Sequence, residues 1–229
     1  MKNLAIILAG GSSERFGGPV PKQFSAIAGR SLLAICLERF QDHPGIDAIV
    51  LVCPSGHLPA AEKTVAAGGY DKVMEILPGG KTRQESSFIG VHAATAGMEN
   101  ILIHDAARAL VGSAVIARVL AALASGPAVM AALPAGDTIV RVDEAATVSA
   151  VLDRDKLRLV QTPQGFKLEI IRQAHALARS EGFAGASDDC SLVLRYKLSP
   201  VVTVPGDPAN IKITYPQDLA IAEAILRDA

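Results

Sequence analysis

Leu4-Ala5-Ile6-Ile7-Leu8-Ala9-Gly10-Gly11-Ser12-Ser13-Glu14-Arg15-Phe16-Gly17-Gly18-Pro19-Val20-Pro21-Lys22-Gln23-Phe24 begins as a short apolar run and leaves it through paired glycines. Four more runs of this kind follow, at Ala48–Val52, Val73–Leu77, Ile101–Ile103 and Ala128–Ala132, bounded by Gly, Pro, Asp or Asn. Continuous apolar runs this short suit strands buried on both faces of a parallel sheet. Amphipathic segments lie between them. Leu32, Leu33, Ile35, Cys36, Leu37 and Phe40 follow Ser31, and Val115, Ile116, Val119, Leu120 and Leu123 follow Ser113. Each serine is placed to cap a helix. Strand and helix in alternation predict a Rossmann-like, doubly wound, mostly parallel α/β fold. In such sheets ligands sit beyond the carboxyl ends of the strands, so the loops there carry the chemistry.

The alternation breaks once, between Asp137 and Thr162. Thr138–Val142 and Thr147–Leu152 are β-prone runs around the polar link Asp143-Glu144-Ala145-Ala146, the pattern of a hairpin. Either an antiparallel edge or a projecting dimerisation arm fits. Helical patterns return at Leu168–Arg179, Leu192–Tyr196 and about Pro216–Leu226. No repeat, low-complexity segment or linker interrupts the chain. The expectation is one domain over residues 1–229 with an inserted β-arm at about 137–160.

Composition narrows the function. The 229 residues are half hydrophobic, and 22 Lys and Arg nearly balance 23 Asp and Glu, which excludes a disordered tail and a polyanion-gripping nucleic-acid protein. Trp is absent, and no run approaches the roughly 20 apolar residues that span a bilayer. Cys36, Cys53 and Cys190 are scattered and odd in number, as expected of reduced thiols in a cytoplasmic protein. The apolar run at Leu4 fits a first strand better than a signal peptide.

The loop after that run carries the most chemistry. Gly10 and Gly11 let backbone N–H groups approach phosphate oxygens without a Cβ in the way. Arg15 and Lys22 add a bidentate clamp and a movable point charge, a set suited to a nucleoside triphosphate. Neither familiar phosphate motif is present. Gly-x-Gly-x-x-Gly fails at Ser12, and Gly80-Lys81-Thr82 imitates the end of a Walker loop but has Glu75 where that loop begins with Gly. Two further loops follow strands. Gly79-Gly80-Lys81-Thr82-Arg83-Gln84-Glu85-Ser86 leads into a helix over Thr82–Ala96, capped by Thr82 or Gly80. His104-Asp105-Ala106-Ala107-Arg108 puts a carboxylate at a strand end, where it can support Mg²⁺ or a ligand hydroxyl or cap the next turn.

The Gly-Gly, Arg15 and Pro21-Lys22-Gln23-Phe24 features together resemble the sugar and sugar-alcohol nucleotidylyltransferases. Within them the chain resembles the cytidylyltransferases of methylerythritol phosphate (the IspD family) or of ribitol phosphate. The resemblance runs from Leu4 to Leu226. It implies transfer of CMP from CTP to a small polyol phosphate, with Arg15 and Lys22 catalytic and Mg²⁺ or another divalent cation as cofactor. It implies CTP contacts at Leu8, Ala9, Gly10, Gly11, Ser12, Gly79, Gly80, Arg83, Ser86 and Ala106. It places Asp105 and Arg108 near acceptor and metal, and Thr138, Arg154 and Lys212 on the acceptor phosphate. Arg154 would come from the arm of a second subunit in a homodimer. Ala109 stands where a Pro usually follows the Arg. Leu8-Ala9-Gly10-Gly11 is common in ribitol-phosphate enzymes, whereas Asp137-Thr138, Asp153-Arg154 before Thr162-Pro163-Gln164, and His104–Arg108 match the methylerythritol branch, which these acceptor-side features favour. An NAD-dependent oxidoreductase lacks its fingerprint here, and a non-catalytic nucleotide sensor has no use for acceptor cations. The attacking group that the resemblance implies is the acceptor's own phosphate, so no histidine would be required as a base and His104 is expected to be structural.

Overall fold

The computed structural model describes residues 2–10, 16–17 and 21–227. Arg15, Gly11 and Ser12 lie outside the described residues. In chain order the regular elements are β1 (Lys2–Leu8), β2 (Ala26–Ile27), β3 (Arg30–Ser31), α1 (Leu32–Gln41), β4 (Ala48–Cys53), α2 (Leu58–Gly68), β5 (Val73–Pro78), α3 (Arg83–His92), β6 (Met98–Asp105), α4 (Ser113–Ala122), β7 (Ala128–Pro134), β8 (Val140–Val142), β9 (Val148–Val151), β10 (Arg158–Lys167), α5 (Leu168–Glu181), α6 (Asp189–Arg195), β11 (Val202–Pro205) and α7 (Asp218–Arg227).

Seven strands form one sheet in the order β11-β7-β10-β6-β1-β4-β5. Neighbours are parallel except where β10 runs antiparallel to β6 and β7. β1 shows why it is central. Its alternate side chains Ala5 and Ile7 enter one core with residues of α1 and α4, and Leu4, Ile6 and Leu8 enter the other with residues of α5 and α6. A strand buried on both faces has to be apolar at every position, as this one is from Leu4 onward. Close approach fixes the covering helices. A Cβ on Gly90 of α3 would lie 2.4 Å from Ile6 Cγ2, and one on Gly165 of β10 would lie 2.6 Å from Val119 Cγ1 of α4.

The structure is α/β, as the alternation predicted, with local differences. Val73–Leu77 is a strand, but β5 is at the sheet edge and leaves Met74 41% exposed. Ser31 Oγ accepts the Ala34 N–H at 3.1 Å, as expected of a cap. Ser113 does not cap; it is the first helical residue, and the cap position belongs to Gly112. Thr82 Oγ1 accepts the Glu85 N–H and starts α3, which ends at His92, short of Ala96. β10 and β11 are two strands beyond those expected from the sequence. β10 breaks register between Val160 and Gln164.

The hairpin forms where expected. Among the described residues β8 and β9 pair only with each other, and Asp143 Oδ1 closes their turn by accepting the Ala145 and Thr147 N–H groups. Val140, Val142, Val148 and Val151 are 42–69% exposed. The three cysteines are free and buried. No helix among the described residues is long and apolar enough to cross a membrane.

Candidate active site

The chain runs from β1 to β4 and β5 on one side, then returns to place β6 on the other side of β1. Ligands bind at such a reversal, outside the carboxyl ends of the strands. A cleft of about 600 Å³ lies there, lined by the ends of β1 and β6 and the loops after β4 and β5. Ala106 N–H donates to Leu8 O at 3.0 Å, which joins the two strand ends.

One wall is the glycine loop. Leu8, Ala9, Gly10, Phe16, Lys22 and Gln23 all face the cleft. Pro21 precedes a single 3₁₀ turn at Lys22–Phe24. Gln23 is almost fully buried, and its Nε2 donates to Ala9 O at 2.6 Å. The opposite wall is the start of α3. Ser86 Oγ accepts the Gly80 N–H at 3.2 Å and donates to Thr82 O at 3.0 Å. A Cβ on Gly10 would lie 3.3 Å from that Oγ, and one on Gly79 3.0 Å. Two glycine turns therefore converge on one small hydroxyl residue. Ser86, Arg83, Thr82 and Lys81 line the cleft, while Gly79 and Gly80 lie just behind it.

The floor is charged. Asp105 Oδ1 accepts from Arg83 Nε at 3.0 Å, and Oδ2 accepts from Lys212 Nζ at 2.8 Å. Arg83 Nη1 reaches past Asp105 to Asp189 Oδ2 at 2.8 Å. Burial pushes the Asp105 carboxyl up, but Arg83 and Lys212 outweigh it and hold the group well below the usual carboxylate range. Burial likewise opposes ionisation of Asp189, yet Arg83, His175 and Ser87 hold it at about 2. Arg83 Nη2 is buried without a hydrogen-bond partner. An unmade buried bond costs about 1–3 kcal/mol, so the two charged bonds dictate how this guanidinium lies.

His104 serves the backbone. Asp105 N–H donates to Thr162 Oγ1 at 3.1 Å, so the Thr162 hydroxyl proton is left to donate to His104 Nδ1 at 3.0 Å. Nε2–H then donates to Arg108 O at 3.1 Å, an assignment that follows from the network. Burial pushes the imidazole down to about 4, so it is neutral near pH 7 and unsuited to general acid catalysis there.

Of the residues expected at the site, the structure brings together Leu8, Ala9, Gly10, Lys22, Arg83, Ser86, Asp105, Ala106 and Lys212. Arg108 lies beside the cleft and grips loops: Nη1 donates to Asn210 O at 2.9 Å and Nη2 to Val160 O at 3.1 Å. This grip and the Ile213 N–H to Ala107 O bond of 2.8 Å hold the segment that presents Lys212. Thr138 and Arg154 are exposed on the arm, away from this cleft, and Arg154 Nη1 donates to Gly136 O at 3.2 Å. Sequence reasoning missed Lys81, Gln23 and Thr214 in the lining and Asp189, Ser87 and His175 behind Arg83. The 106-residue separation of Asp189 from Arg83 leaves no local pattern to find.

A doubly wound sheet with a cation-lined cleft at its switch point defines a nucleotide-binding α/β protein. The family model described as "IspD: 2-C-methyl-D-erythritol 4-phosphate cytidylyltransferase" matches residues 3–228, and the chain belongs to that family. It is 44% identical to the 2-C-methyl-D-erythritol 4-phosphate cytidylyltransferase of Thermobifida fusca, over 97% of this chain and 92% of that one. It is 39% identical to the protein of that name from Saccharopolyspora erythraea, over 99% and 100% of the two chains. The Thermus thermophilus 2-C-methyl-D-erythritol 4-phosphate cytidylyltransferase superposes with a TM-score of 0.79 at 36% identity, covering 97% and 98%. The 4-diphosphocytidyl-2C-methyl-D-erythritol synthase of Anaerococcus prevotii gives 0.88 at 28% identity, covering 99% and 96%.

Proposed function

We propose that this chain transfers CMP from CTP to 2-C-methyl-D-erythritol 4-phosphate, giving 4-diphosphocytidyl-2-C-methyl-D-erythritol and pyrophosphate for isoprenoid precursor synthesis. The observation that carries the reading is the family match across residues 3–228. The cleft chemistry agrees with it. An oxygen of the acceptor phosphate attacks the α-phosphorus of CTP, and the bond to pyrophosphate breaks. That oxygen is ionised near pH 7, so the reaction needs positioning and charge stabilisation rather than a base. Lys22 and Arg15 are assigned to the triphosphate, and Lys212, Arg154 and Thr138 to the acceptor phosphate. Gly10, Gly79, Gly80 and Ser86 are assigned to the nucleotide, and Arg83 holds Asp105.

Asp105 is ionised, and one carboxylate together with phosphate oxygens fits the way Mg²⁺ is commonly held. Among the described residues no group of three or more His, Cys, Asp or Glu could hold a metal alone, so phosphates would supply most ligands. A divalent cation bound there would neutralise developing charge on the triphosphate.

The arm is read as the dimer contact, its exposed valines meeting a second copy and Arg154 reaching the neighbouring site. The working partners are CTP and a small polyol phosphate, in the cytoplasm, with no nucleic-acid polymer and no membrane. Pyrophosphate release from CTP tests the reading with each acceptor separately. Release with 2-C-methyl-D-erythritol 4-phosphate and none with ribitol 5-phosphate is expected. The reverse preference would overturn the acceptor assignment, and release with neither would overturn the activity.

A further inference from the structure

Asp189 is a charged side chain only 1% exposed, at the start of α6, on the far side of Arg83 from the cleft. Its two oxygens do different work. Oδ2 accepts from Arg83 Nη1 at 2.8 Å, and Oδ1 accepts from the Ser87 hydroxyl. His175 Nε2 lies 3.2 Å from Ser87 Oγ, and since that hydroxyl donates to Asp189, the imidazole N–H donates to it. His175 and Ser87 are themselves buried, on α5 and α3. Gln164 Oε1 takes the Asp189 and Cys190 N–H groups at 3.2 and 3.0 Å, which ties the start of α6 to β10. Asp189 is thus anchored from three elements and offers its remaining oxygen to one partner.

That partner is a rigid fork. A guanidinium is planar, so fixing Nη1 on Asp189 also fixes the direction in which Nε points. Nε points at Asp105 Oδ1, the carboxylate on the cleft floor. Among the described residues no further hydrogen bond orients Arg83: its third nitrogen is buried without a partner.

We propose that Asp189, backed by Ser87 and His175, is a positioning residue for the transfer reaction, acting through the Arg83 guanidinium to set the orientation of Asp105. It touches no ligand-lining surface, since the cleft is lined by Arg83 and Asp105 and not by Asp189. Loss of its charge therefore leaves ground-state nucleotide contacts in place and loosens a group that has to be preorganised, which lowers kcat rather than raising KM. The inference rests on the reading of the cleft as a cytidylyl-transfer site, but its structural half needs no turnover.

The test pairs steady-state kinetics with nitrogen-15 arginine side-chain spectra of the full chain, the Arg83 Nε–H resonance being assigned by its loss in Arg83→Lys. Asp189→Asn keeps shape and removes charge. It is expected to lower kcat about 10- to 100-fold, to leave KM for CTP within about threefold, and to shift or broaden the Arg83 Nε–H resonance. Ser87→Ala removes one anchoring bond and is expected to move both readouts in the same direction by less, so it serves if Asp189→Asn does not fold. An unchanged Nε–H resonance overturns the proposal whatever the rate does. A shifted resonance with kcat within twofold overturns the link to catalysis. A wild-type chain without transferase activity overturns the functional reading alone, and the resonance shift then still reports whether Asp189 orients Arg83.

Discussion

Replacing Arg83 with Met removes the cation between two carboxylates while keeping much of the side-chain bulk. Asp189 is 1% exposed and Asp105 11% exposed at their side chains, so neither charge can turn fully to water. Breaking a buried pair by removing one partner costs on the order of 3–5 kcal/mol, a large share of a typical total of about 5–15 kcal/mol. The sign of the pH dependence follows from Asp189. In the native protein its carboxyl is held at about 2, against an ordinary 3.8, so it contributes roughly 2 kcal/mol of stability above pH 3.8. That contribution is lost as pH falls from 3.8 through about 2. In Arg83→Met the strongest cause of the lowering is gone and burial is left to push Asp189 up. With only Ser87 and His175 left to oppose burial, its carboxyl titrates above the wild-type value, so the variant loses less stability than wild type as pH falls. Asp105, which Arg83 also holds down, shifts in the same direction, so the difference between the two proteins reports both carboxylates. Urea unfolding at about pH 7, 5, 4 and 3 should give a gap that is widest at pH 7 and narrows by at least about 1 kcal/mol toward pH 3, where about half of the wild-type contribution of Asp189 is lost. A gap of constant size across that range would refute the reasoning, and a variant as stable as wild type at pH 7 would refute it outright.

Thr162→Val removes the hydroxyl that takes the Asp105 N–H and serves His104 Nδ1. Two buried polar atoms lose their partner, and a stability loss of about 1–3 kcal/mol in denaturant unfolding is expected. Gly165→Ala would put a Cβ 2.6 Å from Val119 Cγ1 and 2.9 Å from Leu123 Cδ1, and the same measurement should show a loss of about 1–3 kcal/mol from overpacking. Lys22→Ala should lower kcat/KM for CTP by roughly a hundredfold with circular dichroism unchanged, a loss of about 2.7 kcal/mol in transition-state binding. Arg154→Ala should weaken use of the acceptor while sparing CTP binding, and an unchanged acceptor KM and kcat would refute its assignment.

The sequence spoke most clearly where chemistry and local geometry coincide. Leu4–Leu8 had to be a two-faced strand because every position is apolar, and Gly10 had to begin a loop. The Thr138–Leu152 alternation around Asp143 disclosed a hairpin because turn chemistry and strand propensity agree there. Other features depend on partners distant in the chain. β5, unlike β4, carries Glu75 within its apolar run, and its place at the sheet edge leaves Met74 and Glu75 exposed. β10 contains Pro163, Gly165 and two glutamines, which obscure a strand whose register breaks at those residues. Arg83 stood out through its glycine-led loop, but its use as a bridge depends on Asp189, which only the packing of α6 against α5 and β7 brings near. Arg154 and Thr138 were placed by resemblance alone, and within one chain they stay on the arm.

The Gln23 amide has a consequence in polymer terms. By holding Ala9 O at 2.6 Å it ties together two points 14 residues apart, one at each end of the glycine-rich stretch. Ring closure of that length costs an entropy worth about 2 kcal/mol, more than the roughly 1 kcal/mol net of one hydrogen bond. The balance comes from the burial of Gln23, the packing of Phe16 and Phe24 against the core, and the Ala9 N–H to Val52 O bond of 2.7 Å. Folding meets this entropy loss before any ligand arrives. On the proposed assignment, an incoming triphosphate meets a segment whose two ends are already joined, and more of its binding energy is left for the reacting phosphorus.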